Sequence, residues 1–309
     1  MTLTVSDKAG FYSPVSFLSR TPEQLGPDWL GELAADLAAG KAQLFEGRQD
    51  QGSAGVQIVY RALPWDTDFF GTATFRVDYT AAAPGTPFSA LQAAFAGLRA
   101  HLAAQAPAFY LFAEVPSEDT AAIAGMSGAG YRLIETRLTC FRDDLQRFDA
   151  KGAAAVRGAT AADIPALRVA AAQAVNHYDR FHADDFFSAQ QADDFLAVFV
   201  ENSVKGYADE VIVPADGPAD AFLTGNYVTA PAALGGQKLG RMVLSAVTPA
   251  RRGWYVKLIG ALSAKFQAAG VGTAFMTTQA TNRAVLKVWA HHGYRVGRSS
   301  HIFSTYSRG

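Results

Sequence analysis

Two stretches of this 309-residue sequence hold side chains of the kinds that do chemistry, spaced so that they could act together. The first is VLSAVTPARRGWYVKLIGALSAKF, residues 243–266. Its apolar start, Pro249, the Arg251-Arg252-Gly253 turn and the series Leu258, Ile259, Leu262 and Phe266 predict a strand, a basic bend and an amphipathic helix. The first amides of a helix lack partners within it, and the helix dipole adds positive potential, so such a bend favours an anion. The same pattern also serves as a plain strand-to-helix connection with solvated arginines. The second stretch is NHYDRFHADD, residues 176–185, where His177, Tyr178, Arg180 and His182 stand among three aspartates. His182 is the candidate general base or amine-orienting group; the alternative is a brace for its loop. Arg180 suits paired phosphate oxygens, and equally an ion pair with Asp179 or Asp184.

Other candidates are more diffuse. LPWDTDFFG, residues 63–71, gathers Trp65, Asp66, Asp68, Phe69 and Phe70. Its aromatic faces could stack on a base or sugar and Asp66 could hold hydroxyls; alternatively Trp65 and Phe69 plug an internal interface while Asp66 caps a turn. Gln279 and Asn282 fall at a strand end and a helix start, and Asn282 also suits an N-cap. His101 reads as a surface residue. His291 and His292 close a helix, where positive charge is favoured. No G-x-S-x-G, G-x-x-x-x-G-K-[ST], H-E-x-x-H or G-x-G-x-x-G occurs, and no metal dependence is indicated.

The elements that must position these groups alternate in type. The first fifty residues predict one helix from Pro27-Asp28, carrying Trp29, Leu30, Leu33, Leu37 and Leu44 and closing at Gly47, then a polar loop to Gly55. Strands at 56–62 and 73–79, a helix at 88–105, a strand at 109–115, a short helix from 116 to 126 and a strand at 131–141 follow. From about residue 153 the pattern restarts: a short strand, a helix capped by Thr160, a helix at 192–204, strands at 210–213, 221–228 and 241–247, a helix at 254–269, a strand at 273–279, a helix at 282–292 and a strand at 294–306. GYRLIETRLTCF (130–141) echoes GYRVGRSSHIFS (293–304), each after a short helix, which suggests two related α/β halves, 1–150 and 151–309. Lys and Arg total 27 and Asp and Glu 28, so the chain lacks the basic excess of a duplex binder while leaving room for a small anionic substrate. A lone cysteine, Cys140, excludes an internal disulfide framework and fits a reducing compartment. With no secretory pattern at the N-terminus and no apolar run near the ~20 residues of a membrane span, a cytoplasmic protein without membrane or nucleic-acid partners is expected.

The order strand, Arg-Arg-Gly turn, helix, strand, Asn282, helix, Gly293-Tyr294, strand resembles the acetyl-CoA-dependent N-acyltransferases of the GNAT superfamily, over about residues 156–306. VTPARRGWYVKLI is similar to their pyrophosphate-binding motif, and TQATNRAVLKVWAHHGY (278–294) to the motif after it. LPWDTDFFG, NHYDRFHADD and ENSVKG (201–206) resemble the branch that acylates nucleotide-linked amino sugars, whose type member is the TDP-fucosamine acetyltransferase. The resemblance implies a mixed, mostly antiparallel sheet flanked by helices, with a degenerate GNAT-like half before the complete one. It implies acyl-CoA, acetyl or longer, as co-substrate, a nucleotide-sugar acceptor, and a monomer or homodimer. It implies cofactor contacts from Ser245, Ala246 and Val247 on a bulged strand that splays from its neighbour, from Arg251, Arg252, Gly253, Trp254 and Tyr255 at the turn, and from Asn282 and Trp289. From their residue types, His177, Tyr178, Arg180, Asp66 and Gln279 are the candidates for the acceptor side and His182 the candidate catalytic group. Two positions depart from the family pattern. Tyr255 stands where a small residue is usual, so its ring must point away from phosphates. Trp289 stands where a tyrosine often protonates the leaving thiolate, and an indole N–H cannot do so.

Overall fold

The computed structural model describes residues 3–19, 21–47, 55–151, 153–174 and 176–309. The chain divides into two compact units. The first comprises Met1–Arg137, Pro231–Leu234 and Arg298–Gly309; the second comprises Leu138–Ala230 and Gly235–Gly297.

The first unit begins with short 3₁₀ turns and helix α1 (Gly26–Ala38). The predicted helix was longer: Gly40, at φ +70°, turns the chain, and Leu44 instead enters strand β1 (Gln43–Glu46) opposite Val59. The predicted polar loop lies largely outside the described residues. After β2 (Gln57–Ala62), the segment read as a connection is helix α2 (Pro64–Phe70), with Pro64 in its first turn and Gly71 left-handed behind it. Strand β3 (Ala73–Ala81), helix α3 (Phe88–Gln105), strand β4 (Ala108–Pro116) and helix α4 (Thr120–Gly128) follow. Helix α4 starts later than the sequence suggests, where Asp119 accepts the Ala122 amide at 3.0 Å. Helix α3 buries Leu91, Phe95, Leu98 and Leu102, one face of a 3.6-residue period, against Ile58 and Leu111 of the sheet. Strand β5 (Arg132–Arg142) opens in this unit.

The second unit adds β6 (Val156–Gly158), α5 (Ile164–Gln173), α6 (Arg180–Ala183) and α7 (Ala189–Asn202), which runs into one π-helical turn, Ser203–Tyr207. Strands β7 (Glu210–Pro214), β8 (Ala221–Thr229) and β9 (Lys238–Val247) pair antiparallel in sequence order, and β6 pairs antiparallel with β7. Helix α8 (Trp254–Ala268) leads to β10 (Thr273–Gln279), which lies parallel to β9. Helix α9 (Arg283–His291) precedes β11 (Arg295–Arg308). Successive residues of β8 serve opposite faces: Phe222 packs with Leu167, Ala170 and Val200 of α5 and α7, whereas Leu223 packs with Ile259, Leu262 and Phe266 of α8. From Arg298 onward β11 belongs to the first unit, where it pairs antiparallel with β4 and sets Phe303 into the α3 core.

The internal echo is structural. The runs β3-α3-β4-α4-β5 and β9-α8-β10-α9-β11 share one order, each with a parallel strand pair. Gly130 and Gly293, the echoed glycines, hold φ of +82° and +76° where α4 and α9 end, a conformation that glycine adopts without strain.

Candidate active site

Strands β9 and β10 stay paired for only three rungs, Leu239 with Thr273, Gly240 with Ala274 and Arg241 with Phe275. Both run on, to Val247 and Gln279, without a further rung. On its other side β9 slips register: Leu223 faces Ser245 while Gly225 faces Met242, so β9 holds one residue more than β8. That bulge bends β9, and the Thr224 hydroxyl takes the Leu244 amide at 2.9 Å beside it. The outcome is a cleft whose β9 wall is 243–247 and whose β10 wall is 276–279.

The start of α8 opens beside this cleft. Gly253, at φ +89°, turns the chain into the helix after the 3₁₀ turn Pro249–Arg251. Two adjacent arginines part company here. Arg251 donates to Asp220 at 2.7 Å and to the Asp216 carbonyl at 2.8 Å, so it pins the 216–220 turn. Arg252 is exposed and makes no ion pair among the described residues. Trp254 is flanked by Arg251 and Lys257, whose charged groups lie 5.6 and 4.8 Å from its ring centre. Tyr255 turns inward, away from the first amides of α8. Its oxygen accepts the Trp289 indole N–H at 2.7 Å. Burial pushes its pKa up, so the phenol stays neutral. Trp289 is 3% exposed and acts as a donor to Tyr255 and as packing.

At the far end of the cleft, Asn282 caps α9 through Val285 N at 3.3 Å and turns its amide to Thr278 at 3.3 Å. Gln279 accepts the Asn176 side-chain amide at 2.6 Å, which ties the 176–187 segment to the end of β10. His177 and Tyr178 are exposed on that segment. Arg180 is buried with its guanidinium 4.3 Å from the Phe181 ring centre, so it is not presented to a phosphate from solvent. His182 corrects the expectation of a free base. Nδ1 lies 2.9 Å from Asp179 and Nε2 3.1 Å from Asp193, and neither nitrogen is left to accept a proton from an amine. Asp66 belongs to the first unit, in the first turn of α2, where the Trp65 and Phe69 rings stack at 5.7 Å.

The sequence reading missed a cavity of about 660 Å³ alongside α8. Arg142, Lys151, Lys257, His291 and His292 line it, with Phe148, Val256 and Gly260 as apolar floor and Asp149 as its acidic group. His292 Nε2–H donates to the Val256 carbonyl at 2.8 Å, and burial holds its pKa down, so it stands as a neutral ring. The basic residues come from four separate segments, and no local motif announces them.

A parallel pair that opens past a bulge, beside the start of the helix joining the two strands, defines a known architecture. A GCN5-related N-acetyltransferase from Sphaerobacter thermophilus matches at 13% identity over 99% of this chain and 93% of its own, with a TM-score of 0.56. The chain has the GNAT fold. The glucosamine N-acetyltransferase region of a fungal multi-domain GH3 β-N-acetylglucosaminidase matches at 16% identity over 86% of this chain and 33% of that one, TM-score 0.59. A GCN5-related N-acetyltransferase from Kribbella flavida matches at 13% identity over 90% and 95%, TM-score 0.50. No family model matches the sequence, and no curated protein matches it. At such identities the likeness is one of fold. In GNAT terms, the second unit carries the opened strand pair and the helix start together. No helix among the described residues is long and apolar enough to cross a membrane.

Proposed function

We propose that the chain is an acyl-CoA-dependent N-acyltransferase whose acceptor is the amine of a nucleotide-linked deoxyamino sugar. One observation carries the reading: β9 and β10 part after three parallel rungs, and β9 then runs straight into the Arg251–Gly253 turn that starts α8. The donor set suits this co-substrate. The free amides at the α8 start and Arg252 match a pyrophosphate. The cationic cavity, floored by Phe148 and Val256, suits a phosphorylated nucleoside. Backbone of residues 243–247 without β10 partners suits an amide-bearing arm. The inward turn of Tyr255 keeps its ring off the phosphate-facing amides.

The reaction asks for little more than placement. The amine nitrogen bonds to the thioester carbonyl carbon, the carbon–sulfur bond breaks, the thiolate leaves with the electron pair, and the amine gives up a proton to solvent or a base. Alignment alone can supply ~7–11 kcal/mol of barrier reduction. Neither Trp289 nor the doubly engaged His182 supplies that proton chemistry, so positioning is the chain's main contribution. An amino-sugar acceptor is supported by NHYDRFHADD at the cleft end and by the shared fold with a glucosamine N-acetyltransferase region. The test is thiol release monitored with a disulfide reagent. Release should require both acyl-CoA and a dTDP-linked amino sugar and exceed that with amino acids or polyamines. Release with another amine alone would refute the acceptor class, and no heat on titrating any acyl-CoA would refute the enzyme.

A further inference from the structure

The 176–187 segment, tied to the end of β10 through Asn176, is bridged to α7 by an imidazole. His182 is nearly buried, its side chain 4% exposed. Nδ1 faces both oxygens of Asp179 at 3.0 and 2.9 Å, and Nε2 faces Asp193 on α7 at 3.1 Å. A neutral imidazole has one N–H and one lone pair, so it would turn that lone pair onto a carboxylate. Only the imidazolium donates to both. Asp179 also takes the Phe181 and His182 amides at 2.9 and 3.0 Å and so fixes the α6 turn. The aromatic side of that turn packs onto α7, with Phe181 and Phe195 ring centres 4.2 Å apart. The chain then reaches the cleft through the Asn176–Gln279 bond.

We propose that His182 is a positioning residue: its imidazolium, gripped by Asp179 on its own turn and Asp193 on α7, locks the 176–187 segment at the acceptor end of the cleft, and loss of that charge loosens the segment. The largest charges acting on the ring are those of Asp179 and Asp193. Of the other nearby groups, Asp184 accepts the Phe186 amide and Arg180 lies against the Phe181 ring. The two carboxylates outweigh burial and raise the pKa of His182 above its usual 6.5. A raised folded pKa means the clamp is complete below pH 6.5 and is lost as pH rises through the higher folded value. Its role in acceptor binding rests on the acyltransferase reading; the clamp itself does not.

The experiment uses the full chain. With histidine labelled at Cε1, NMR titration should show a resonance that titrates above pH 6.5, assigned by its loss in His182→Gln. Asp193→Asn should lower that value. Hydrogen exchange at the Phe181 and His182 amides, corrected for intrinsic pH dependence, should speed up across the same titration, by about tenfold for each unit of pKa difference. The speeding should begin at lower pH in Asp193→Asn. A resonance at or below pH 6.5, or exchange that ignores the titration, overturns the clamp. With acyl-CoA and acceptor, KM for the acceptor should rise over that pH range while acyl-CoA affinity holds, and Asp193→Asn should shift the rise downward. An unchanged KM profile with an intact NMR titration overturns the positioning role. No turnover with any amine, with the titration and exchange as expected, leaves the clamp standing and refutes the acyltransferase reading instead.

Discussion

Arg251 and Arg252 are neighbours in sequence, and the structure gives them opposite work. Arg251→Gln removes a charge-assisted bond to Asp220 and one to the Asp216 carbonyl, from a pair whose side chains are 16% and 22% exposed. Breaking such a bond and leaving a half-buried carboxylate unmatched costs about 1–3 kcal/mol of stability. Arg252→Gln removes an exposed cation with no ion pair among the described residues, so stability should move by no more than about 0.5 kcal/mol. Its loss should appear in acyl-CoA affinity. One charged hydrogen bond to a phosphate is worth ~1.5–3 kcal/mol, or about 10- to 150-fold in Kd. The difference should shrink as salt rises, because the group is in solvent. Urea melts give the first quantity and calorimetric titration of CoA at two salt concentrations gives the second. Equal stability losses in both variants would refute the division of labour. An Arg252→Gln protein that binds CoA as tightly as the parent would place the phosphates elsewhere.

Three other outcomes are expected. A Cβ at Gly240 would lie 2.4 Å from the Phe266 ring, so Gly240→Ala should cost about 1–3 kcal/mol in a urea melt and Phe266→Leu in the same chain should recover part of it; additive losses would refute the close approach. Glu114 faces Arg298, Arg137 and Ser300, and the two guanidinium groups hold its pKa at about 2 despite burial. A depressed folded pKa gives stability that is present above pH 4.5 and lost as pH falls toward 2, about 3 kcal/mol in full; Glu114→Gln should flatten the acid limb of stability against pH, and an unchanged limb would refute the assignment. Calorimetry should find one acyl-CoA per chain, because the first unit's counterpart of the cleft is closed by its own N-terminal segment, and a stoichiometry of two would refute that closure.

Local patterns carried most of the element assignment. Helix α3 and strand β10 fall where period and turn residues put them, because each has a clean apolar rhythm and clear stops. Two readings failed where a backbone preference outranked rhythm. Gly40 ended α1 early and released Leu44 to a strand, and Pro64 with Gly71 made a helix of a presumed connection. Of the candidate site, the Arg-Arg-Gly turn into α8 and the Asn282 cap of α9 were legible, because both are local structures made within a few residues. Long-range facts had no local trace. Asp220 claims Arg251 across 31 positions, Trp289 reaches Tyr255 across 34, and Asp193 takes the second nitrogen of His182 from another helix. That last contact turns a candidate base into a clamp.

The repeated frame explains why a cleft is not by itself a site. In the first unit β3 and β4 pair in parallel from Ala73 with Phe109 to Val77 with Ala113, and β3 slips register against β2 just beyond, as β9 does against β8. The topology that opens the second unit is therefore present here too. The chemistry at the helix starts differs. Residues 82–87 enter α3 without one basic side chain, and Pro87 stands at its N-cap position with no side-chain hydrogen bond. Asp119, not asparagine, caps α4, and a buried hydrogen bond from the Tyr12 hydroxyl closes on it at 2.7 Å. The Ser6 amide reaches the Tyr79 hydroxyl at 3.1 Å, so the N-terminal segment lies along the strand that would form the wall. What remains is a cavity of about 160 Å³ with two carboxylates, Asp7 and Asp119, against one lysine, where the second unit keeps about 660 Å³ and several cations. An anion is favoured at a helix start only while the added charges agree with the dipole. Bulge and splay are common to both units; what separates them is the sign of the side chains around the helix starts and the N-terminal segment that lies along β3.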